Sequence, residues 1–302
     1  MYGNSLVKKI IITTLLAFCL AGCSSKIAYN NLDWVAAWYV DDYLDLNASQ
    51  SDQFEDKVVV ILKWHRRFEL VQYQTQLQQI KDQMKQGVIP AQSWQQHLQS
   101  IGEHWVRSRD KISSELAVLA PSLSQDQVEE LFGELKENND RQREEYSDLS
   151  EQEAFEERYE NILERFEERI GDLTVAQQDL IKEYVNASNR SPLDYLDYSD
   201  RFQEALKKVF VDAIQNTQPS ELLTTKLLSL LTHPEQFKSK EAIQYYGHQR
   251  QLLAQLLQDV QISLTQEQVE YFNRELDQSL ALLKDILEEQ KAADLSSAKA
   301  ED

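Results

Sequence analysis

One short pattern recurs four times along the chain and constrains its fold more than any other feature. In each copy a leucine precedes Asn, Ser or Thr, and a glutamine follows three positions after that polar residue. Such a pair is typical of a capping box, in which the first side chain caps a helix and the glutamine bonds back to the cap residue's own N–H. The four predicted boxes, each starting an α-helix, pair Asn47 with Gln50, Ser124 with Gln127, Thr174 with Gln177, and Thr265 with Gln268.

The remainder of the chain also favours helices. Only 7 of the 302 residues are glycine, and the plentiful Leu, Gln, Glu and Lys residues are good helix formers. No stretch alternates apolar and polar residues in the way that a half-buried strand requires. We therefore predict an all-α fold, with one multi-helix domain over residues 31–292 and a disordered tail at residues 293–302.

The repeated pattern also suggests an internal duplication. Residues 122–132 read SLSQDQVEELF, and residues 263–272 read SLTQEQVEYF. The first copy is separated from the third, and the second from the fourth, by similar numbers of residues, and Arg67-Phe68 and Arg201-Phe202 recur between them at a similar separation. This order suggests that the domain divides into two similar helical halves, 46–170 and 173–291. This hypothesis requires that the two halves share one helix topology.

The first 22 residues have the organisation of a secretory signal. Lys8 and Lys9 precede an apolar run over residues 10–20. This run is too short to cross a bilayer, because a membrane-spanning helix needs about 20 residues. A short positive segment, an apolar segment and small residues in that order predict a signal peptide that is removed from the mature chain.

The end of this segment resembles the processing site of bacterial lipoproteins, because Leu-Ala-Gly stands directly before Cys23. The resemblance implies removal of residues 1–22, attachment of lipid to Cys23, and a short tether over residues 23–30. Several acyl chains on one residue would hold the protein stably on a membrane. Because Ser24 rather than aspartate follows the cysteine, the sorting pattern favours the periplasmic face of the outer membrane over the inner membrane.

The composition narrows the possible functions. The formal net charge of −20 repels nucleic-acid phosphates, so no nucleic-acid partner is expected. Of the two cysteines, Cys19 lies in the predicted signal, which excludes a disulfide framework or a zinc site of several cysteines in the mature chain. Because nucleophile-elbow, phosphate-loop and H-E-x-x-H motifs are absent from the sequence, we predict no cofactor, no metal and no enzymatic activity.

Tryptophans, aspartates and arginines cluster near the mature N-terminus. The first helical segment is apolar on more than one side, which is typical of a buried helix. Two interpretations of the cluster remain open. It is either a pocket that binds a peptide, a glycan or a lipid headgroup, or an internal ion-pair network in which the aspartates hold the arginines. The candidate residues are Trp34, Trp38, Asp41, Asp42, Trp64, His65, Arg66 and Arg67.

The chain also resembles a family of Gram-negative envelope lipoproteins that is described only as a domain of unknown function. Three motifs carry the resemblance: Tyr29-x-Asn31-Leu32-Asp33-Trp34, Trp38-x-x-Asp41-Asp42-Tyr43, and Trp64-His65-Arg66-Arg67-x-Glu69-Leu70. The resemblance implies an all-helical lipoprotein and brings no activity with it. Where the family pattern often has proline after Glu-Leu, this chain has Val71, which leaves the helix free to continue. Separately, the L-T-x-x-Q pattern is similar to that of small periplasmic stress chaperones.

We therefore expect a non-enzymatic lipoprotein that acts as an interaction or scaffold protein in the envelope. Its expected partners are the membrane, through the lipid on Cys23, and an envelope protein or peptide. An ATP-independent periplasmic chaperone is the alternative, and an enzyme that acts on cell-wall glycan is a more remote one. A chaperone would expose a large apolar concave face, whereas an enzyme would hold a carboxylate with a raised pKa in a deep cleft.

Overall fold

The computed structural model describes residues 23–188 and 193–301, and the fold over these ranges is all-α, as predicted. The predicted signal, residues 1–22, lies outside the described residues. Two 3-10 helices, Ala117–Ser122 and Pro234–Phe237, and a π-helical segment, His65–Glu69, interrupt the α-helices. The α-helices are α1 (Cys23–Asn30), α2 (Leu32–Asp41), α3 (Ala48–Trp64), α4 (Leu70–Gln86), α5 (Ala91–Leu116), α6 (Gln125–Ser147), α7 (Glu151–Ile170), α8 (Val175–Ala187), α9 (Leu193–Gln215), α10 (Ser220–Thr232), α11 (Lys240–Ile262) and α12 (Gln266–Glu301).

All four predicted capping boxes form both of their hydrogen bonds. At Asn47, for example, the side chain accepts from the Gln50 N–H at 3.1 Å, and Gln50 Oε1 accepts from the Asn47 N–H at 3.0 Å. The same pair of bonds starts α6, α8 and α12. At the other end of a helix, Gly171 closes α7 with a φ of 79°, a conformation that suits glycine because it has no Cβ.

The four glutamines also bond to one another in two pairs, which we call the first and second junctions. In the first junction, Gln50 Nε2 donates to Gln127 Oε1 at 3.0 Å, and Gln127 Nε2 donates back at 2.8 Å. The second junction joins Gln177 and Gln268 in the same way, at 2.8 and 2.9 Å. Each junction therefore ties the first turns of two helices together, α3 to α6 and α8 to α12.

Each junction glutamine also binds the chain that leads into the opposite helix. In the first junction, the two amide nitrogens donate to the carbonyl oxygens of Ser122 and Asp45, both at 2.7 Å. In the second junction, they donate to the carbonyl oxygens of Ser263 at 3.2 Å and Asp172 at 2.8 Å. In every case the acceptor stands two positions before the cap residue. The repeated sequence pattern therefore corresponds to a repeated three-dimensional unit.

Apolar side chains collect in three clusters between the helices. The first joins α6, α9 and α10 through Val128, Phe132, Phe210, Leu223 and Leu227. The second joins α8, α11 and the end of α7 through Ile170, Ile181, Val185, Leu256 and Val260. The third joins α1, α4 and α12 through Tyr29, Leu70, Leu283 and Ile286. The core is therefore divided among several helix contacts along the molecule.

The proposed halves, 46–170 and 173–291, share their cores. The consecutive helices α6 and α7 pack against different partners: α6 against α9, and α7 against α8 and α12. The first half contributes α6 to a cluster that the second half completes, and it contributes the end of α7 to another such cluster. The two junctions are alike, but the duplication of whole halves stays a prediction.

The chain ends differ from expectation. Residues 293–302 were expected to be a disordered tail, but α12 continues to Glu301. Alanine and lysine in this stretch favour helix, and Arg67 holds Asp294 through two hydrogen bonds. The segment 23–30 was expected to be a tether, but it is the helix α1, whose Tyr29 is only 2% exposed. A buried tyrosine fixes this segment to the domain.

The helix α2 contradicts the expectation of a buried first segment. It is the most apolar stretch near the N-terminus, LDWVAAWYVD, yet none of its residues is buried. Its Trp34 is 68% exposed. Periodicity showed apolar residues on several sides, but the structure supplies α3 as a neighbour on only part of the surface of α2.

Candidate functional site

The candidate site begins at the π-helical segment between α3 and α4. Here the N–H of Leu70 bonds to the carbonyl oxygen of His65, five residues back, instead of the usual four. Such insertions are rare and are frequently found at functional sites. The segment turns His65 and Glu69 into the interior, where both are buried.

Glu69 is a buried carboxylate with two cationic or polar neighbours on α5. Arg107 donates to its two oxygens at 2.7 and 3.1 Å, and His104 Nδ1 lies 3.0 Å from Oε2. Burial alone would raise the pKa of Glu69, but the hydrogen bonds from Arg107 and His104 outweigh it and lower that pKa. The carboxylate is therefore held ionised in the interior, and only Arg107 extends towards solvent.

Amide and imidazole groups extend this network along α5. Gln76 Nε2 donates to the carbonyl oxygen of His97 at 2.8 Å, so its Oε1 faces His104 Nε2 at 3.0 Å. Arg107 Nη2 also lies 2.6 Å from His104 Nδ1, so both ring nitrogens of His104 have partners. The bonds of Gln76 cross between α4 and α5, and they fix the inner face of α5.

On the opposite side, His65 links α1 to the same region. The hydroxyl of Tyr29 lies 2.9 Å from His65 Nδ1, and that of Tyr73 lies 3.4 Å from Nε2. The Tyr73 ring meets His104 edge to face, with the ring centroids 4.7 Å apart. Burial lowers the pKa of His65 to about 4, with Arg66 and His104 adding to that effect and Glu69 opposing it. His65 is therefore neutral near pH 7.

The arginines of the predicted cluster bind residues other than the two aspartates. Arg66 donates to Asn30 Oδ1 at 3.0 Å and lies 5.3 Å from the Tyr29 ring centroid. Arg67 pairs with Asp294 of α12. Both contacts join neighbouring helices at exposed positions, so the pocket and the ion-pair network both stay predictions.

The other predicted residues lie apart from this network. Asp41 and Asp42 are exposed at the end of α2, and Trp34 and Trp38 project from the surface of that helix. Trp64 is half-buried, and its ring lies 6.2 Å from that of Phe68. Of the eight predicted residues, only His65 is buried. Trp64 and Arg66 are half-buried, and the exposed ones are Trp34, Trp38, Asp41, Asp42 and Arg67.

A second surface, absent from the predictions made on sequence alone, lies where α5 and α11 run antiparallel. The N–H groups of Ile89 and Ala91 donate to Gln261 and Gln258 at the end of α11. At the other end, Arg109 donates to the carbonyl oxygen of Thr232, which precedes α11. We define the α5–α11 face by Ile101, Gly102, Trp105, Ile243, Tyr246 and Gly247.

The α5–α11 face is apolar and exposed. Trp105 is 55% exposed and Ile101 53%, one helical turn apart on α5. Trp105 lies about 21 Å along α5 from Ala91, at 1.5 Å per residue. Gln258 of α11 is bonded to Ala91, and the same distance back along α11 from Gln258 leads to the turn that holds Ile243 and Tyr246. These side chains therefore lie at the same level of the helix pair.

A row of aromatic rings adjoins this face. The rings of Tyr195, Tyr198 and Phe202 on α9 follow one another at 6.0 and 6.3 Å. Lys238 Nζ lies 5.5 Å from the Tyr198 ring and 4.8 Å from the Tyr246 ring, which connects the row to α11. The spacing of three and four residues along α9 predicts that these rings lie on one side of the helix. The sequence does not predict that the row meets α11.

Within 23–188 and 193–301, no three His, Cys, Asp or Glu side chains stand together in a way that could hold a metal ion. Nor is any helix of those ranges both long and apolar enough to span a bilayer.

Comparison with known proteins gives one match. A family model described as a family of unknown function, DUF6279, matches residues 42–245. The matched range runs from the end of α2 to the first turns of α11, so it includes the π-helical segment and α5. No curated protein and no solved structure matches the chain.

Proposed function

The chain belongs to this DUF6279 family, and from that premise we propose that it is a non-enzymatic envelope lipoprotein that binds a polypeptide partner through the α5–α11 face. The observation that carries the proposal is the exposed pair Trp105 and Ile101 on one side of α5. Tryptophan and tyrosine are the residues that most often dominate binding energy at protein interfaces. In a chain of net charge −20, an exposed apolar surface of this kind marks an interaction site.

Two glycines leave the centre of the face without side chains. Gly102 and Gly247 lie within helices, where glycine costs roughly 0.5–1 kcal/mol relative to alanine. A Cβ added at either position would meet nothing within 4 Å, so packing inside the chain does not require them. Glycine at these positions lets a partner backbone approach closely between the aromatic side chains.

The buried network makes α5 a rigid support for this face. His104 points inward to Glu69 and Gln76, and the next residue, Trp105, points outward. An anchor held in one orientation loses less conformational entropy on binding than a mobile one does. The network therefore supports binding without taking part in chemistry.

The same proposal places the protein on a membrane through lipid on Cys23, at the periplasmic face of the outer membrane. α1 starts at this residue, and Tyr29, less than two turns later, is buried in the third core. A lipid at this position would hold the whole domain close to the bilayer. A partner bound to the α5–α11 face would thereby be brought to the membrane.

The test is site-specific photo-crosslinking in living cells, with the crosslinker at Trp105 and, separately, at Tyr246. The control position is Val175, which is 74% exposed at the start of α8, beside the second junction. The proposal expects one recurring protein at the first two positions and not at the control, with capture lost from position 246 in a Trp105→Ala variant. A broad set of unfolded envelope proteins would instead support a chaperone, and no capture would refute the proposal.

A further inference from the structure

The helices α1 and α2 each have one exposed side near the predicted lipid site, and we call these two sides together the exposed stripe. Asn31 stands between the two helices with φ −115° and ψ 25°, which is not a helical conformation, so one helical period does not run through both. At about 100° per residue within each helix, Ile27 lies on one side of α1, and Trp34, Trp38 and Asp41 lie on one side of α2. Tyr29 and Leu32, which contact the third core, fall on the opposite side.

The stripe is apolar and aromatic up to Asp41 at the end of α2, and it is open to solvent. Ile27 is 65% exposed, Trp34 68% and Trp38 42%. Tryptophan is the side chain that most favours the membrane–water interface, since its ring is apolar and its N–H stays hydrated. A helix that lies flat on a bilayer has this arrangement of one apolar stripe over a polar or packed remainder.

Resting on the lipid attachment proposed above, we infer that α1 and α2 lie flat on the bilayer and insert Ile27, Trp34 and Trp38 among the lipid headgroups. A lipid chain at one end and tryptophans at the other fix the two helices at two points. The membrane contact therefore sets the orientation of the domain as well as its location.

The charge beside the stripe selects a neutral lipid surface. Asp33, Asp41 and Asp42 lie on or next to α2, whereas the nearby cations are already paired, Lys26 of α1 with Glu289 and Arg66 with Asn30. Anionic headgroups would repel these carboxylates, and zwitterionic headgroups would not. The inferred partner is thus a zwitterionic membrane surface.

The experiment uses the full lipidated protein, purified from membranes and reconstituted into phosphatidylcholine vesicles. An environment-sensitive fluorophore is attached in a Trp34→Cys variant and, as the matched exposed control, in a Val175→Cys variant. We expect a blue shift at residue 34, with quenching by brominated lipid that is several-fold stronger than at residue 175. Replacing part of the phosphatidylcholine by an anionic lipid should weaken the quenching at residue 34.

Flotation of the vesicles separates this inference from the lipid anchor. Protein that floats with the vesicles while the probe at residue 34 remains water-exposed would overturn the inference and leave the anchor standing. A blue shift without quenching by brominated lipid would assign the stripe to another protein copy and would also overturn it. Protein that does not float would refute the anchor, and the inference with it.

Discussion

The first and second junctions contain the same hydrogen bonds but differ in their surroundings. In the second junction, Gln177 is 0% exposed and Gln268 4%. In the first, Gln50 is buried, but Gln127 is half-buried and its cap Ser124 is exposed. A sequence motif therefore determines which bonds form, whereas the surrounding core determines how much free energy depends on them. A buried amide left without a partner is far more costly than one that water can reach.

The largest expected effect tests this difference at the second junction. In Gln177→Leu, the Thr174 N–H, the Ser263 carbonyl and the Gln268 amide all lose a buried partner. Since each such group costs about 1–3 kcal/mol, we expect the free energy of unfolding to fall by about 3–5 kcal/mol. Urea denaturation of the wild-type and variant proteins measures the change.

A double variant sharpens the same test. Gln177→Leu combined with Gln268→Leu removes both members of the amide pair, so neither amide is left unpaired. We expect the double variant to lose less free energy than the sum of the two single variants, because the pair is coupled. Strict additivity would show that the two glutamines do not depend on each other.

The next prediction uses the pH dependence of the free energy of unfolding to distinguish the π-helical segment from the junctions. The glutamine pairs carry no titratable group, whereas His65 does, and burial lowers its pKa from 6.5 to about 4. The unfolded chain therefore binds more protons between these values, so the free energy of unfolding falls as pH drops from 6.5 to 4, by at most about 3 kcal/mol.

Acidic side chains also titrate near the lower limit of this range, so a reference variant is needed. His65→Asn keeps a polar group beside Tyr29 and removes the titration. Urea denaturation across this pH range should show a steeper decline for the wild-type protein than for the variant. Parallel profiles would mean that His65 does not control this dependence.

A smaller effect is expected at the first junction. Gln50→Leu removes partners from the Asn47 N–H and the Ser122 carbonyl, but both residues are exposed and water can replace the lost bonds. We expect a loss of about 1–2 kcal/mol, less than for Gln177→Leu. Equal losses in the two variants, measured by urea denaturation, would remove the distinction between the junctions.

The smallest expected effect is at the cap residues, where a substitution should cost about the same at both junctions. Ser124 and Thr265 are both exposed, and each accepts one N–H from its glutamine partner. Replacing either by alanine should cost about 1 kcal/mol, the usual value for such a cap. Thermal unfolding should give similar shifts for Ser124→Ala and Thr265→Ala, and a large difference would contradict a purely local role.

Local sequence was sufficient to predict the helix starts and the fold class, because a capping box closes within four residues. It could not predict that Gln50 meets Gln127, or Gln177 meets Gln268, since these contacts depend on how distant helices pack. The π-helical segment has the same apolar spacing as an ordinary helix, so periodicity gave no sign of it. The buried network around Glu69 was missed for that reason.

The candidate site was predicted only in part. His65 of the Trp64-His65-Arg66-Arg67 motif is buried, whereas Arg66 and Arg67 make exposed contacts with Asn30 and Asp294, which lie on helices whose packing the sequence does not state. Trp34 was expected to be buried because α2 is apolar on several sides. Burial depends on which other helices pack against a helix, and the described neighbours of α2 leave none of its residues buried.

The contact between the first helix and the last has a consequence for the order in which this protein can fold. Chains emerge from the ribosome with the N-terminus first, so Tyr29 and Leu70 appear long before Leu283 and Ile286, against which they pack. Until α12 is made, the third core lacks one of its sides. We therefore expect Tyr29 to stay exposed until α12 is made, and loss of α12 would uncover the N-terminal helix that packs against it.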